Sequence, residues 1–371
     1  MGRFKKLTYR EDYESAMRYL RKDETKHAPE FDMSSAPADL QELMHIAEDE
    51  PLGEERYQKM VEFRDRSWSV PDGEAEVLLA EESLNILRYV NRHLRKCNEK
   101  LKDDGYLVVF FDTAAKHRLE IYAKYPRFIA NIVYFFHFFW HRMCPKMRWT
   151  RRFYYFCNHK KKVVFPRPEV LGRLYYCGFD VVSERYVYDL YCIIAQKKRP
   201  PCAEPHTYGP IIKLNRVGKD GKMFWVYKFR TMYAYSEFLQ TYVYEHNNLD
   251  EGGKFADDYR VTEWGKILRK CWMDEWPMFI NIFKGQMKLV GVRPLSKQYF
   301  SLYSPEIQEL RTRMKPGMLP PFYVDMPETL DEIQESERRY CEAYLKHPFR
   351  TDWKYFWKIV GNIVFKRKRS K

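Results

Sequence analysis

Ile211-Ile-Lys-Leu-Asn-Arg-Val217 and Met223-Phe-Trp-Val-Tyr-Lys228 are two runs of strand-forming residues joined through Gly218-Lys219-Asp220-Gly221. An Asp-Gly step between two such runs is a hairpin signal, because these residues accept the positive φ that a tight turn demands. The second run continues as Tyr227-Lys228-Phe229-Arg230-Thr231-Met232. Cations alternate there with rings and apolar groups, so Lys228 and Arg230 share one face if the strand persists. Such a face suits phosphate, which is held by charge-assisted hydrogen bonds. A solvated edge strand carries the same pattern.

Downstream, Asp258-Tyr-Arg-Val-Thr262 leads into a helix over Glu263 to Lys270, with Thr262 as its N-cap. Then comes Cys271-Trp-Met-Asp274-Glu275-Trp276-Pro277-Met-Phe279, two adjacent carboxylates set among large apolar groups. Pro277 suits the first turn of a helix and would put Asp274 and Glu275 at its N-terminus, where backbone N–H groups favour negative charge. Helix capping by acidic residues is one reading. The other is magnesium ligation, because that ion takes one or two carboxylates and completes its shell with substrate phosphates. Arg269 precedes the pair by five residues, and Val290-Gly-Val-Arg293-Pro294 brings another fixed cation after the helix. Phosphoryl transfer from a diphosphate needs this combination of a metal and guanidinium groups to spread charge and a carboxylate to attack phosphorus.

The composition bounds these readings. The chain has 371 residues, 45% hydrophobic and 31% charged, which fits neither a disordered chain nor a multi-span membrane protein. Its net charge of +14 points to anionic partners: nucleic acid, phosphorylated ligand or lipid. Nucleic acid is disfavoured, because the basic residues are scattered among Trp and carboxylates and fit no recognition module. An aromatic content of 17% favours a membrane surface, since amphipathic rings gather where an apolar phase meets water. No apolar run reaches the roughly 18 to 20 residues of a spanning helix, and the basic start Met1-Gly-Arg-Phe-Lys-Lys-Leu-Thr8 has no apolar segment behind it. Eight cysteines without a C-x-x-C pair read as reduced thiols of a cytoplasmic setting.

Upstream of the hairpin, residues 1–75 read as a polar N-terminal extension and 76–198 as an α/β domain. An amphipathic helix is expected from Glu76, with Val77, Leu78, Leu84, Ile86, Leu87, Val90 and Leu94 as its apolar stripe. Asp103-Asp104-Gly105 closes it, and Tyr106 to Phe111 follows as a buried strand. Glu169 to Tyr176 reads as a helix, and Asp180 to Tyr186 and Leu190 to Gln196 as paired strands. Phe128 to Trp140 is either a core helix or a shallow interfacial segment, its basic and aromatic flanks favouring the second. Lys197-Lys-Arg-Pro-Pro-Cys-Ala-Glu-Pro205 contains the linker, 199–205. The order of elements over 76–198 resembles the second half of a class I methyltransferase domain, a degenerate Rossmann-like fold without the Gly-rich turn that would receive the cofactor.

Over residues 206–371 an ordered set of motifs resembles the bacterial sugar transferase family, the monotopic polyprenyl-phosphate phosphoglycosyl transferases. It comprises Gly209-Pro210, Arg216-Val217-Gly218, Gly221, Lys228-Phe-Arg230-Thr-Met232, Arg269, Asp274-Glu275 with Pro277, Asn281, Lys284-Gly285, Leu289-Val-Gly291, Arg293-Pro294 and Lys315-Pro-Gly317. The resemblance implies a mainly helical domain with a small β-hairpin. It implies transfer of a sugar 1-phosphate from a nucleotide diphosphate sugar to a polyprenyl phosphate, with Mg2+, at the cytoplasmic face of a bacterial inner membrane. On this carry-over Asp274 is the nucleophile, Glu275 holds magnesium, and Lys228, Arg230, Arg269 and Arg293 bind substrate phosphates. The lipid surface is then a partner, and a homo-oligomer is compatible with the reading. The sequence departs from the family where an acidic Gly-Asp-Met-Ser has become Gly285-Gln286-Met287-Lys288 and Gly-Pro-Arg-Pro has become Gly291-Val292-Arg293-Pro294. The family's hydrophobic re-entrant helix falls on Leu171 to Lys198, which is interrupted by charges. These changes motivate an alternative, a catalytically degraded, membrane-associated assembly or regulatory protein. At the C-terminus, Trp353, Phe356, Trp357, Val360 and Val364 make one helical face ahead of Lys366-Arg-Lys-Arg369, either core or a contact with anionic lipid.

Overall fold

The computed structural model describes residues 11–364 except 27, 50–53, 81–82, 148, 159–162, 247–257 and 328. The basic start and the Lys366 to Arg369 tail lie outside the described residues. The packing divides the chain into two units: residues 1–210 with 232–262, and 211–231 with 263–371. Residues 232–262 therefore group with the first unit although they sit inside the 206–371 segment.

The first unit runs α1 (Glu11–Glu24), α2 (Ala38–Glu48), α3 (Glu54–Ser69), β1 (Ala75–Leu79), α4 (Val90–Lys100), β2 (Leu101–Phe111), α5 (Ala114–Lys124), α6 (Arg127–Phe138), α7 (Thr150–Cys157), α8 (Arg167–Tyr176), β3 (Phe179–Val187), β4 (Leu190–Lys197) and, later, α9 (Gln240–His246). The sheet order is β1-β2-β4-β3; β1 and β2 are parallel, and β4 runs against both its neighbours. A mixed sheet is thus what the Rossmann-like expectation meets, and the likeness to a methyltransferase domain gains no support from it. The expected helix from Glu76 is corrected too. Val77 and Leu78 lie on β1 and only Val90 to Lys100 is helical, because the short apolar run Val77-Leu-Leu-Ala80 fits a buried strand as well as a helix turn. Asp103-Asp104-Gly105 makes an irregularity inside β2, with Asp104 at φ 62°, before Tyr106 resumes the register opposite Val77. Part of the polar first 75 residues packs as well: Leu40, Leu43, Met44 and Ala47 of α2 and Phe63 of α3 form one core with Val77, Val108 and Ile194 of the sheet.

The second unit is built on the predicted hairpin, β5 (Ile211–Val217) and β6 (Met223–Phe229), paired antiparallel with Val217 opposite Met223. Asp220 and Gly221 take φ of 57° and 70°, the left-handed conformation that this turn requires. There follow α10 (Glu263–Lys270), α11 (Phe279–Phe283), β7 (Lys288–Val290), α12 (Lys297–Phe300), α13 (Pro305–Thr312), β8 (Gly317–Leu319), α14 (Phe322–Asp325), α15 (Leu330–Lys346) and α16 (Pro348–Val364). Strands β7 and β8 pair in parallel, and Val290, Val292, Met314, Tyr340, Cys341 and Ile359 form the core beneath them. The unit is mainly helical with a small hairpin.

Two of the departures from the family pattern have structural partners. Asn281 is fully buried; its side chain accepts the Tyr227 N–H at 3.1 Å and donates to the Trp225 carbonyl at 2.7 Å and to the Gln286 carboxamide oxygen at 2.9 Å. Gln286 thus completes a clamp between β6 and the segment that carries the carboxylates. Lys288 donates to both oxygens of Asp352 at 3.0 Å and to the Tyr340 hydroxyl at 2.9 Å, anchoring α16 to β7. Replacing Asn281 by Ala leaves buried donors and acceptors unpaired, so Asn281→Ala is expected to cost about 2 kcal/mol in urea unfolding. A loss under about 0.5 kcal/mol would mean that the clamp is unimportant.

Candidate functional site

The site begins with strand alternation. Phe224, Val226 and Lys228 follow one another on one face of β6, and Val226 packs in a small core with Met278 and Met287. Met278 ends the segment Met273–Met278, a 3₁₀ turn that contains Asp274, Glu275 and Pro277. The core contact therefore brings the carboxylates to the strand, and Lys228 Nζ lies 2.6 Å from Glu275 Oε1. Pro277 lies within this 3₁₀ turn rather than at the start of an α-helix. The turn is entered through Trp272, left-handed at φ 58°, whose ring packs on Tyr323 at 4.4 Å. A left-handed non-glycine residue costs roughly 1–2 kcal/mol, so this reversal is held by its surroundings.

Beside Glu275 opens a cavity of about 370 Å³, walled on the cationic side by Arg216, Lys228 and Arg293 and closed by Tyr303, Tyr323 and Glu337. That volume suits a small ligand, and the three cations suit an anionic one. Burial and the neighbouring Arg293 both lower the pKa of Arg216, which is the expected signature of two guanidinium groups facing one space. Arg293 is set by its backbone: its carbonyl accepts from Arg311 at 2.6 Å, and Arg311 pairs with Glu337 at 3.3 Å in a buried contact. Burial pushes Glu337 up to about 7, against the pull of Arg311 and Arg293.

Asp274 is half-buried next to Glu275. Burial and the Glu275 charge raise its pKa, while Lys228 and Arg269 oppose the rise. Of the six residues singled out from sequence, the cavity wall brings together Lys228, Glu275 and Arg293. Asp274 is not among the wall residues; it precedes Glu275 in the chain and lies within the field of Glu275 and Lys228. Arg269 is held through Nε on the Thr231 hydroxyl at 2.9 Å, within the field of Asp274. Arg230 lies just past the end of β6, so the ladder that aims Lys228 does not aim it, and it is not among the wall residues. Arg216 and Glu337 were missed as site residues. Arg216 had a signal, since it faces Phe224 across the hairpin and shares the face of Lys228. Glu337 had none, lying in a run of charges on α15 that reads as solvated.

The described donor set offers a divalent cation such as magnesium no protein cage, and such an ion would need oxygen donors from elsewhere. Among the described residues no group of three or more His, Cys, Asp or Glu could hold a metal. Glu275 is the wall carboxylate that could contribute to such a site.

With the geometry in place, comparison with known proteins gives the class. Residues 202–366 match the family model described as bacterial sugar transferase. The chain is 40% identical over 112 residues to the galactosyl transferase CpsE of Streptococcus agalactiae, covering 30% of this chain and 25% of that protein. It is 38% identical over 115 residues to the UDP-N-acetylgalactosamine-undecaprenyl-phosphate N-acetylgalactosaminephosphotransferase of Aeromonas hydrophila, covering 30% and 24%. It is 35% identical over 119 residues to the undecaprenyl-phosphate galactose phosphotransferase of Salmonella typhimurium, covering 31% and 24%. The C-terminal region therefore matches the bacterial sugar transferase family, as its ordered motifs imply. The chain spans about a quarter of the length of these three relatives.

Proposed function

We propose that the second unit transfers a sugar 1-phosphate from a nucleotide diphosphate sugar to a polyprenyl phosphate through a covalent phosphosugar on Asp274. The observation that carries this reading is the convergence of Arg216, Lys228 and Arg293 on a cavity whose wall includes Glu275, with Asp274 next to Glu275 in the chain and within the field of Lys228. An Asp274 oxygen attacks the phosphorus next to the sugar; the bond from that phosphorus to the bridging oxygen breaks and nucleoside monophosphate leaves. A phosphate oxygen of the polyprenyl acceptor then attacks the same phosphorus and frees the carboxylate. Lys228, Arg216 and Arg293 bind and orient the diphosphate and offset its negative charge as it shifts to the leaving group. Magnesium, held by Glu275 and phosphate oxygens, would supply further charge neutralisation. Arg269 lowers the cost of an ionised Asp274. The degraded-protein alternative is weakened by the structural roles of Gln286 and Lys288.

A position at the cytoplasmic face of an inner membrane suits the acceptor. No helix among the described residues is long and apolar enough to cross a membrane. Trp276, Phe279, Ile280 and Phe283 are nonetheless exposed immediately after the carboxylates. On α16, Phe349, Trp353 and Trp357 are exposed while Ile359 is in the core and Phe356 packs against it, so the expected stripe is split between core and surface. The Val364 side chain lies outside the description.

The direct test is intact mass after incubation with nucleotide diphosphate sugars and magnesium. An adduct of one phosphosugar is expected, and its absence with every donor, together with no nucleoside monophosphate released when polyprenyl phosphate is supplied, would reject the reading. The protonation of Glu337 supplies a second test. Its folded pKa is raised, so it is uncharged below about pH 7 and adds a negative charge to the cavity as the pH rises through that value. The KM for the nucleotide sugar should increase across pH 7 by about tenfold, equivalent to ~1.4 kcal/mol of repulsion, and Glu337→Gln should flatten the rise. The sign for stability is the same. The contribution is complete below the ordinary Glu pKa and is lost as the pH climbs through about 7. An equal KM profile in both proteins would remove Glu337 from the ligand's field.

A further inference from the structure

A second cavity, of about 490 Å³, lies in the first unit, and its described walls are Arg88, Lys146, Arg151, Arg152 and Tyr208. Four cations and a phenol line it, with no carboxylate among the described residues. Three of the cations, Arg88, Lys146 and Arg151, have partners within the unit, and Arg152 is exposed. Arg151 donates to the Tyr208 hydroxyl at 2.6 Å and lies over the Tyr89 ring, and Arg88 lies over the rings of Tyr89 and Tyr155. A guanidinium over a ring face still has N–H groups to offer an anion. Lys146 pairs with Glu169, but that buried carboxylate is shared with Arg173, so its one charge does not cancel two cations.

The helix that supplies Arg151 and Arg152 also presents exposed rings. Phe153 follows Arg152 directly, Trp149 at the start of α7 is 91% exposed, and Phe153 meets Trp140 edge to face at 6.1 Å. Trp140 continues α6, where Phe128, Ile132, Phe135, Phe136 and Phe139 fall at i, i+4, i+7, i+8 and i+11 and are all exposed, Phe128 at 76% and Phe136 at 65%. The interfacial reading of Phe128 to Trp140 therefore has the exposure it needs, and Ala130 is the one residue of α6 that is fully buried among those described. A contiguous apolar surface of this kind on a basic protein calls for an occupant.

We infer that the first unit docks on an anionic phospholipid bilayer, with a lipid phosphate in the Arg88–Lys146–Arg151–Arg152 cavity and the apolar faces of α6 and α7 entering the acyl boundary. Charge complementarity selects this occupant. A cation-lined cavity beside aromatic rings matches an amphiphile that carries phosphate at one end and hydrocarbon at the other. The inference rests on the membrane-surface part of the proposed function and not on its chemistry.

The test is co-sedimentation of the full chain with vesicles of phosphatidylglycerol and phosphatidylcholine, against vesicles of phosphatidylcholine alone. Arg88→Ala/Arg152→Ala should weaken binding to the anionic vesicles about thirtyfold, the loss of two cations near the surface, and leave the weaker binding to neutral vesicles unchanged. Phe136→Ser/Phe153→Ser, at exposed positions, should weaken both, with circular dichroism and thermal melting unchanged in each variant. Equal binding by wild type and both variants would overturn the inference. So would tight binding of inorganic phosphate without vesicle binding, which would make the cavity a site for a soluble anion. Dispersal of a wild-type dimer by the Phe variant, with no effect on vesicles, would assign the apolar face to a second copy and would also overturn it. Nucleoside monophosphate release in detergent is read in parallel. If wild type shows none while the vesicle result holds, the transferase reading fails and the docking surface stands.

Discussion

Asp274→Asn is expected to abolish nucleoside monophosphate release, with a loss of about 10³-fold or more, and to leave no phosphosugar adduct by intact mass. The amide is nearly isosteric and keeps the turn, yet it has no anionic oxygen to attack phosphorus. The raised pKa of Asp274, caused by burial and by Glu275, adds a second expectation. The acid limb of the pH–rate profile should lie above that of an ordinary aspartate, because activity appears only as the carboxylate ionises. Unchanged turnover in the Asn variant would remove Asp274 as nucleophile and would leave Glu275, on the cavity wall, as the carboxylate to examine.

Gly317→Ala should produce the largest loss of stability. A Cβ built on Gly317 would stand 2.0 Å from the Gly291 backbone nitrogen and 2.4 Å from its Cα. Both contacts are backbone, so no side chain can swing aside. Gly317 N–H also donates to the Val292 carbonyl at 2.9 Å, and β7 pairs with β8 through the same approach. Separating these strands would strain the ladder beneath Arg293 and the core of Val290, Val292 and Tyr340. The expected cost is about 3 kcal/mol or more, read from urea unfolding. Gly361→Ala on α16 is the control, because a Cβ there meets nothing within 4 Å. It should be neutral or stabilising by up to ~1 kcal/mol through helix propensity. A Gly317 variant as stable as that control would show that the close approach is dispensable.

These two glycines also explain why the motifs around them are legible. Val290-Gly-Val-Arg-Pro294 and Lys315-Pro-Gly317 are far apart in the chain, but each glycine exists for the other. The residues between them show no periodicity that announces a parallel two-stranded sheet. Lys288 and Gln286 are comparable. In the sequence they look like losses, and their partners Asp352 and Asn281 become visible only after α16 and α11 are packed.

Local chemistry was enough for the hairpin, since the positive φ of Asp220 and Gly221 is a property of those residues and alternation along β6 follows from the pleat. The Asp274-Glu275 pair could likewise be singled out as a candidate before any folding is considered, because its carboxylates are unusual among Trp, Met and Phe. The sequence could also supply the apolar face of Phe128 to Trp140, but not which way it points. Tertiary structure alone decided that this face is exposed, that Val77 and Leu78 form a strand, that Arg293 and Arg216 share a cavity while Arg230 does not line it, and that Glu337 titrates near neutrality. The physical reason is the same in each case. Exposure, desolvation and charge–charge coupling depend on which distant segments approach a residue, and neither propensity nor spacing along the chain carries that distance.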